Sequence, residues 1–178
     1  PQGARPTATR ARKASDMLDP SSFYVDGKLF ASPLPILVLE LEGGGALGPA
    51  ASLRVYDRSV GDNTRADVPA STALIDLQER RDSPSNGKTT YNLTLAGGAA
   101  GPESIALAGL PSGNQWLLRG STRDKAMLRN GLAYELGRYL MPEATPESRF
   151  CEVLFLFNGI YRYEGIYILA QSAEDVYR

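Results

Sequence analysis

An α+β fold, a mainly antiparallel sheet with one substantial helix against it, is predicted by three observations. Short apolar or alternating runs recur along the chain, separated by clusters of Gly, Pro, Asn, Asp and Ser. Two such runs flank Asn158-Gly159, the dipeptide best suited to the positive φ angles of a tight hairpin turn. Only one stretch, from Met127 to Leu140, carries apolar residues at helical spacing. With 178 residues, 43% of them hydrophobic, the chain can bury one sizeable core.

Residues 1–22 are predicted to be a disordered basic leader, since Arg5, Arg10, Arg12 and Lys13 stand among Pro, Thr, Ala and Gly with little to anchor them. The ordered domain is expected over 23–178. Pro33 to Leu41 is a continuous apolar run between prolines and Gly43-Gly-Gly45, which suits a strand buried on both faces. Ala51 to Tyr56 alternates as a half-exposed strand does, and the two are expected to pair. Asp57 to Pro69 is rich in turn-forming residues and reads as a loop. Ser71 to Leu77 is a third strand. Thr89 to Leu95 is a fourth, with Tyr91, Leu93 and Leu95 on one face and the polar segment Arg80 to Lys88 leading into it. Ala96 to Pro102 is a turn. Met127, Leu128, Leu132, Leu136, Tyr139 and Leu140 then mark a helix, with Asp124 placed to cap its start and Pro142 just beyond its end. Cys151 to Phe157 and Ile160 to Leu169 form the closing hairpin, in which Gly165 marks a bulge or a close backbone approach.

Composition excludes several chemistries. The 19 basic and 20 acidic residues nearly cancel, so there is no electrostatic case for nucleic acid. No apolar run approaches the roughly 20 residues that a membrane-spanning helix needs. Histidine is absent, which removes the usual general base, the usual zinc ligand and every Ser-His or Cys-His dyad. Cys151 is the single cysteine and reads as a small buried hydrophobe, with no internal disulfide to form.

Three polar or aromatic groupings interrupt the apolar framework. In the loop from Arg80 to Lys88, two arginines and a lysine surround Ser83, Ser85, Asn86 and Gly87, an arrangement that either cradles an anion or is a solvated hairpin loop. Asp124, Arg129 and Asn130 gather at the start of the helix, where Asp124 is adequately explained as an N-cap. Phe155, Phe157, Tyr161, Tyr163 and Tyr167 make an aromatic hairpin, which is core, sheet surface or a platform for a base. Asn92-Leu-Thr94 fits the N-glycosylation acceptor pattern, as in a secreted protein.

In order and spacing these elements resemble the spore-coat CotH family of atypical protein kinases. The resemblance rests on Leu34-Pro35, Arg80 to Ser83, Lys88 to Tyr91, Leu107 to Pro111, Trp116 to Leu118, Asp124 with Arg129-Asn130, and Val153 to Leu169. It implies the N-terminal lobe of a divergent protein-kinase-like fold, which binds ATP with Mg and phosphorylates Ser or Thr of partner proteins outside the cytoplasm. On that likeness Arg80 and Lys88 approach the nucleotide phosphates, Tyr167 lies near the nucleotide pocket, and Asp124, Arg129 and Asn130 order the lobe. The aspartates that hold metal and carry out transfer are expected beyond Arg178, so these residues alone are not expected to catalyse. The chain departs from the pattern at Arg81, where the family has glycine, at Gly87, where it has proline, and at Gln171, where it has glutamate, with Glu174 nearby. The alternative is a non-catalytic extracellular module that keeps the fold as a structural or binding domain. The kinase reading requires the basic turn near Lys88 and the tyrosine-bearing ribbon to fold toward a shared cleft.

Overall fold

A strand that is apolar at every position must be covered on both sides, and Ile36 to Leu39 is such a strand, each residue at most 1% exposed. The cover comes from a barrel on one side and a small hairpin on the other. The computed structural model describes residues 22–41, 49–58, 61–65, 67, 69–80, 88–96, 104–120, 124, 126 and 128–172. Residues 1–21 of the expected leader at 1–22 and the segment 81–87 lie outside these residues, as do Met127 and Glu174.

Strands β1 (Phe23–Val25) and β2 (Lys28–Phe30) form the outer hairpin. Its turn is Asp26-Gly27, with φ of 49° and 75°, a tight turn that aspartate and glycine tolerate. Strands β3 (Ile36–Glu40), β4 (Pro49–Tyr56), β5 (Ser71–Glu79), β6 (Tyr91–Leu95), β7 (Gln115–Arg119), β8 (Ser148–Phe157) and β9 (Ile160–Gln171) close into a barrel in the order β3-β4-β5-β6-β7-β9-β8. All neighbours are antiparallel except β3 and β8, which run parallel from Ile36↔Glu152 to Glu40↔Leu156. The pairing of β3 with β4 and the turn at Asn158 (φ 48°) and Gly159 (φ 79°) agree with the sequence.

Period-two alternation sorts the side chains. Leu37, Leu39, Leu53, Val55, Ile75, Leu77, Leu93, Trp116, Leu118, Cys151, Val153, Tyr167 and Leu169 point inward and form the main core. On the outer face of β3 and β8, Phe23 of β1 packs with Ile36, Val38, Tyr56, Leu154 and Leu156 in a second core. Phe23 meets the Tyr56 and Tyr161 rings edge-on at 5.1 and 5.2 Å between centroids.

The expected α+β arrangement, a kinase-like N-terminal lobe with a helix backing a sheet, is overturned: the fold is mostly β, with a closed seven-stranded barrel. Closure depends on the parallel pairing of β3 with β8, for which the sequence carries no local turn signal. The helix also plays a smaller part than expected. Helix α1 (Leu128–Leu140) touches the barrel through glycine: Gly131 sits on the Phe150 ring so closely that an added Cβ would lie 2.7 Å from it. Its leucines face away from the barrel, each more than half exposed.

Candidate functional site

Two places near the β5–β6 connection bring polar side chains together. The first is a groove of about 490 Å³ on the outer face of β5, β6 and β7, overhung by Tyr134 of α1 and by Pro146. The register explains it. Gln78 of β5 pairs with Asn92 of β6, which pairs with Leu117 of β7, and Thr94 pairs with Gln115 one row along. These outward residues are carboxamides, a hydroxyl and one leucine, so the floor offers hydrogen bonds around an apolar patch. Arg80 stands at the end of β5 and, among the described residues that line the groove, is the one charged side chain, with no carboxylate beside it there. Its backbone N–H donates to the Thr90 carbonyl at 2.9 Å, tying the ends of β5 and β6 together. Gln171 and Ser172 close the far side, where the Ser172 N–H donates to Gln115 O at 3.1 Å.

The second place is the mouth of the barrel. Strand β7 pairs with β9 only as far as Arg119↔Ile168. Beyond it Gly120 runs against the backbone of residues 88 and 89, with an added Cβ 2.6 Å from Lys88 Cβ. Past the end of that ladder the Ile166 carbonyl takes a different donor: Lys88 Nζ, at 2.8 Å. The same ammonium lies 5.0 Å from the centre of the Tyr167 ring. Room for it is made by Gly165, which has a φ of 105° and where an added Cβ would collide with Lys88 Nζ. Gly165 follows the irregularity between Val153 and Leu154, which leaves Glu164 as the extra residue of a β-bulge. The sequence reading of Gly165 as a bulge or a close approach holds on both counts.

Burial lowers the pKa of Lys88 from its ordinary value, opposed by the negative charges of Glu152 and Glu164. Burial likewise raises the Tyr167 and Tyr91 hydroxyls. Glu152, on the outer face of β8 and 8% exposed, accepts hydrogen bonds from Ser32 Oγ at 3.1 Å and Tyr163 Oη at 2.6 Å. Burial, then the bond to Glu152, raises the Tyr163 hydroxyl. Cys151 is fully buried and its thiol is pushed up to about 12, mainly by desolvation, so it is packing and not a nucleophile.

Lys88 and Tyr167 thus touch at the barrel mouth, whereas Arg80 lines the groove, whose lining includes neither of the other two. Tyr167 is 2% exposed and presents its ring to the core and to Lys88, not to the groove. Asp124 and Arg129 meet at the start of α1, where Asp124 Oδ2 accepts the Arg129 N–H at 2.7 Å and the side chains pair at 4.0 Å. Asn130 accepts a hydrogen bond from Arg119 at 3.3 Å, which fastens α1 to the end of β7. Asn92 is exposed and lines the groove. Sequence reasoning missed Gln78, Gln115 and Tyr134, whose residue types form no motif and meet only through strand register and the placement of α1. Gln171, noted for its missing charge, accepts the Glu147 N–H at 3.3 Å.

Among the described residues no helix is long and apolar enough to cross a membrane, and no group of three or more Asp, Glu or Cys side chains could hold a metal. The family of CotH kinase proteins matches residues 83–178. No curated protein and no solved structure matches the chain significantly. The match covers more than half of the sequence, and the chain belongs to the CotH family.

Proposed function

We propose that this CotH-family chain is the nucleotide-holding part of a protein Ser/Thr kinase, with ATP seated in the groove on β5, β6 and β7. The observation that carries the reading is the groove itself. Its volume of about 490 Å³ falls within the range of small-molecule sites, and Arg80 is the one charged residue among the described residues that line it. A nucleoside triphosphate needs an apolar contact for its base, hydrogen bonds for its polar edges and a cation for its phosphates. Leu117 and Tyr134 supply the first, Gln78, Asn92, Thr94 and Gln115 the second, and Arg80 the third, as a planar fork matched to phosphate oxygens. Phosphoryl transfer rests on positioning and charge neutralisation. The described residues fit the positioning task; they do not include a ligand set for Mg, so no step through the metal is assigned to them. The partners acted on would be proteins outside the cytoplasm, with Asn92 a glycosylation acceptor only if the groove is left empty.

One observation favours the second reading, a structural or binding module: the Lys88 ammonium is already satisfied by the Ile166 carbonyl and the Tyr167 ring. Calorimetric titration of the chain with ATP separates the two. Kinase ancestry put to use predicts saturable binding that Arg80→Ala weakens about tenfold, equivalent to about 1.4 kcal/mol, without a shift in thermal unfolding. Absence of ATP binding, or equal affinity in Arg80→Ala, would rule out the groove as a nucleotide site and leave the module.

A further inference from the structure

The outer face of β5, β6 and β7 is graded in charge from one end to the other. Its outward side chains stand in cross-strand rows. The middle row is neutral, Gln78, Asn92 and Leu117, and the row on one side of it holds Asp76, Thr94 and Gln115. On the other side stand Arg80 and Thr90, joined by the Arg80 N–H to the Thr90 carbonyl. Strand β7 extends that last row. Its outward positions are 115, 117 and 119, so one step past Tyr91↔Leu118 the side chain of Arg119 emerges across from Thr90. Gly120, packed on the backbone of residues 88 and 89, shows that the two strands stay side by side there. Two arginines thus flank one threonine across roughly 10 Å, twice the strand spacing. The carboxylate of Asp76 stands at the opposite end of the face.

Helix α1 covers the cationic end. Arg119 Nη1 donates to Asn130 Oδ1 at 3.3 Å, and Tyr134, about one helical turn further on, overhangs the groove. Asn130 is a neutral acceptor, and among the described residues Arg119 has no carboxylate partner, so its charge is not cancelled. Arg119 stands one row beyond Leu117, about 7 Å along the strand, at the margin of the groove rather than in its lining.

We propose that Arg119 is a second anion-binding residue of this groove, which with Arg80 grips a chain of phosphates across Thr90 and gives the groove a direction. The phosphates lie at the Arg80–Arg119 end, and the nucleoside lies toward Thr94 and Gln115. A ligand turned the other way would set its phosphates beside Asp76 and leave both guanidiniums unmatched, and that like-charge contact excludes the reversed pose. The assignment rests on the nucleotide reading of the groove for the nucleoside, and on the two arginines alone for the phosphates.

Calorimetric titration of the chain with ATP and, separately, with inorganic tripolyphosphate tests this. Both are expected to bind saturably, and Arg119→Gln is expected to weaken each by about tenfold. Arg119→Lys, which keeps the charge without the planar fork, is expected to lose less. Asn130→Ala breaks the tie to α1 but keeps the cation, and is expected to leave both affinities within about twofold of the parent. Equal losses in Asn130→Ala and Arg119→Gln would show that Arg119 acts only by placing α1, and would overturn the proposal. ATP affinity that falls in Arg80→Ala but is unchanged in Arg119→Gln overturns it too, and leaves the nucleotide reading standing. Tripolyphosphate binding that needs both arginines, without ATP binding, supports the anion site and removes the nucleotide. If neither ligand binds, both readings fall.

Discussion

Strands β8 and β6 lie in the same barrel and are buried in opposite ways. From Cys151 to Leu156 every residue of β8 is buried, whereas β6 alternates, with Tyr91, Leu93 and Leu95 inside and Asn92 exposed. Their inner faces are equivalent; the difference is what lies outside. The β1–β2 hairpin sits over β8 and makes a second core there, while over β6 the described residues provide only the overhang of Tyr134 and Pro146. One side of the barrel is therefore committed to stability, and the other carries the groove in which a ligand is proposed.

The largest effect is expected on the covered side. Leu154, fully buried beneath the hairpin, replaced by aspartate places an unpaired charge in the second core; a loss of more than about 4 kcal/mol is expected in denaturant unfolding. A change below about 1 kcal/mol would mean that the hairpin does not cover β8 in solution. At the mouth, between the two sides, Gly165→Ala is expected to cost about 2–3 kcal/mol, from a positive φ and a displaced lysine. Adding Lys88→Ala removes the collision but not the backbone strain, so the double variant should be less unstable than the two single effects combined. Strict additivity would show that Lys88 does not occupy the space above Gly165. The smallest effect belongs to the open side. Asn92→Ala is expected to stay within about 0.5 kcal/mol of the parent in stability. A cost near that of the mouth variant would show that Asn92 is structural and that the open face is not available to ligands.

The contrast was partly legible. An unbroken apolar run in β3 and strict alternation in β6 report two-sided and one-sided burial directly, because side chains in a strand alternate faces. Asn158-Gly159 announced its hairpin. Asp26-Gly27 is the same kind of signal, but its strands are three residues each and too short to stand out. Closure of the barrel left no mark, since parallel pairing of β3 with β8 involves no turn between them. Helix α1 misled for a different reason: an apolar stripe is ordinarily the face that packs inward. Here the packed face is Gly131 and Gly137, where small size brings the helix close to Phe150 and Thr145, and glycine leaves no trace in a hydrophobic pattern. Of the candidate site, Arg80 was found because cations are conspicuous, while Gln115 and Tyr134 became visible only with strand register and the placement of α1.

The parallel seam between β3 and β8 also dictates when this protein can fold. Its two strands come from opposite ends of the described chain, so β3 leaves the ribosome long before the strand that completes it exists. Through that interval Ile36 to Leu39 has neither its seam partner nor a closed interior, and such exposed strands are prone to aggregate. Non-local pairing of this kind is slow as well as late. Cells making this protein in quantity should depend on a holding chaperone during its synthesis, and a circular permutant that brings β3 and β8 together in sequence should fold faster than the natural chain.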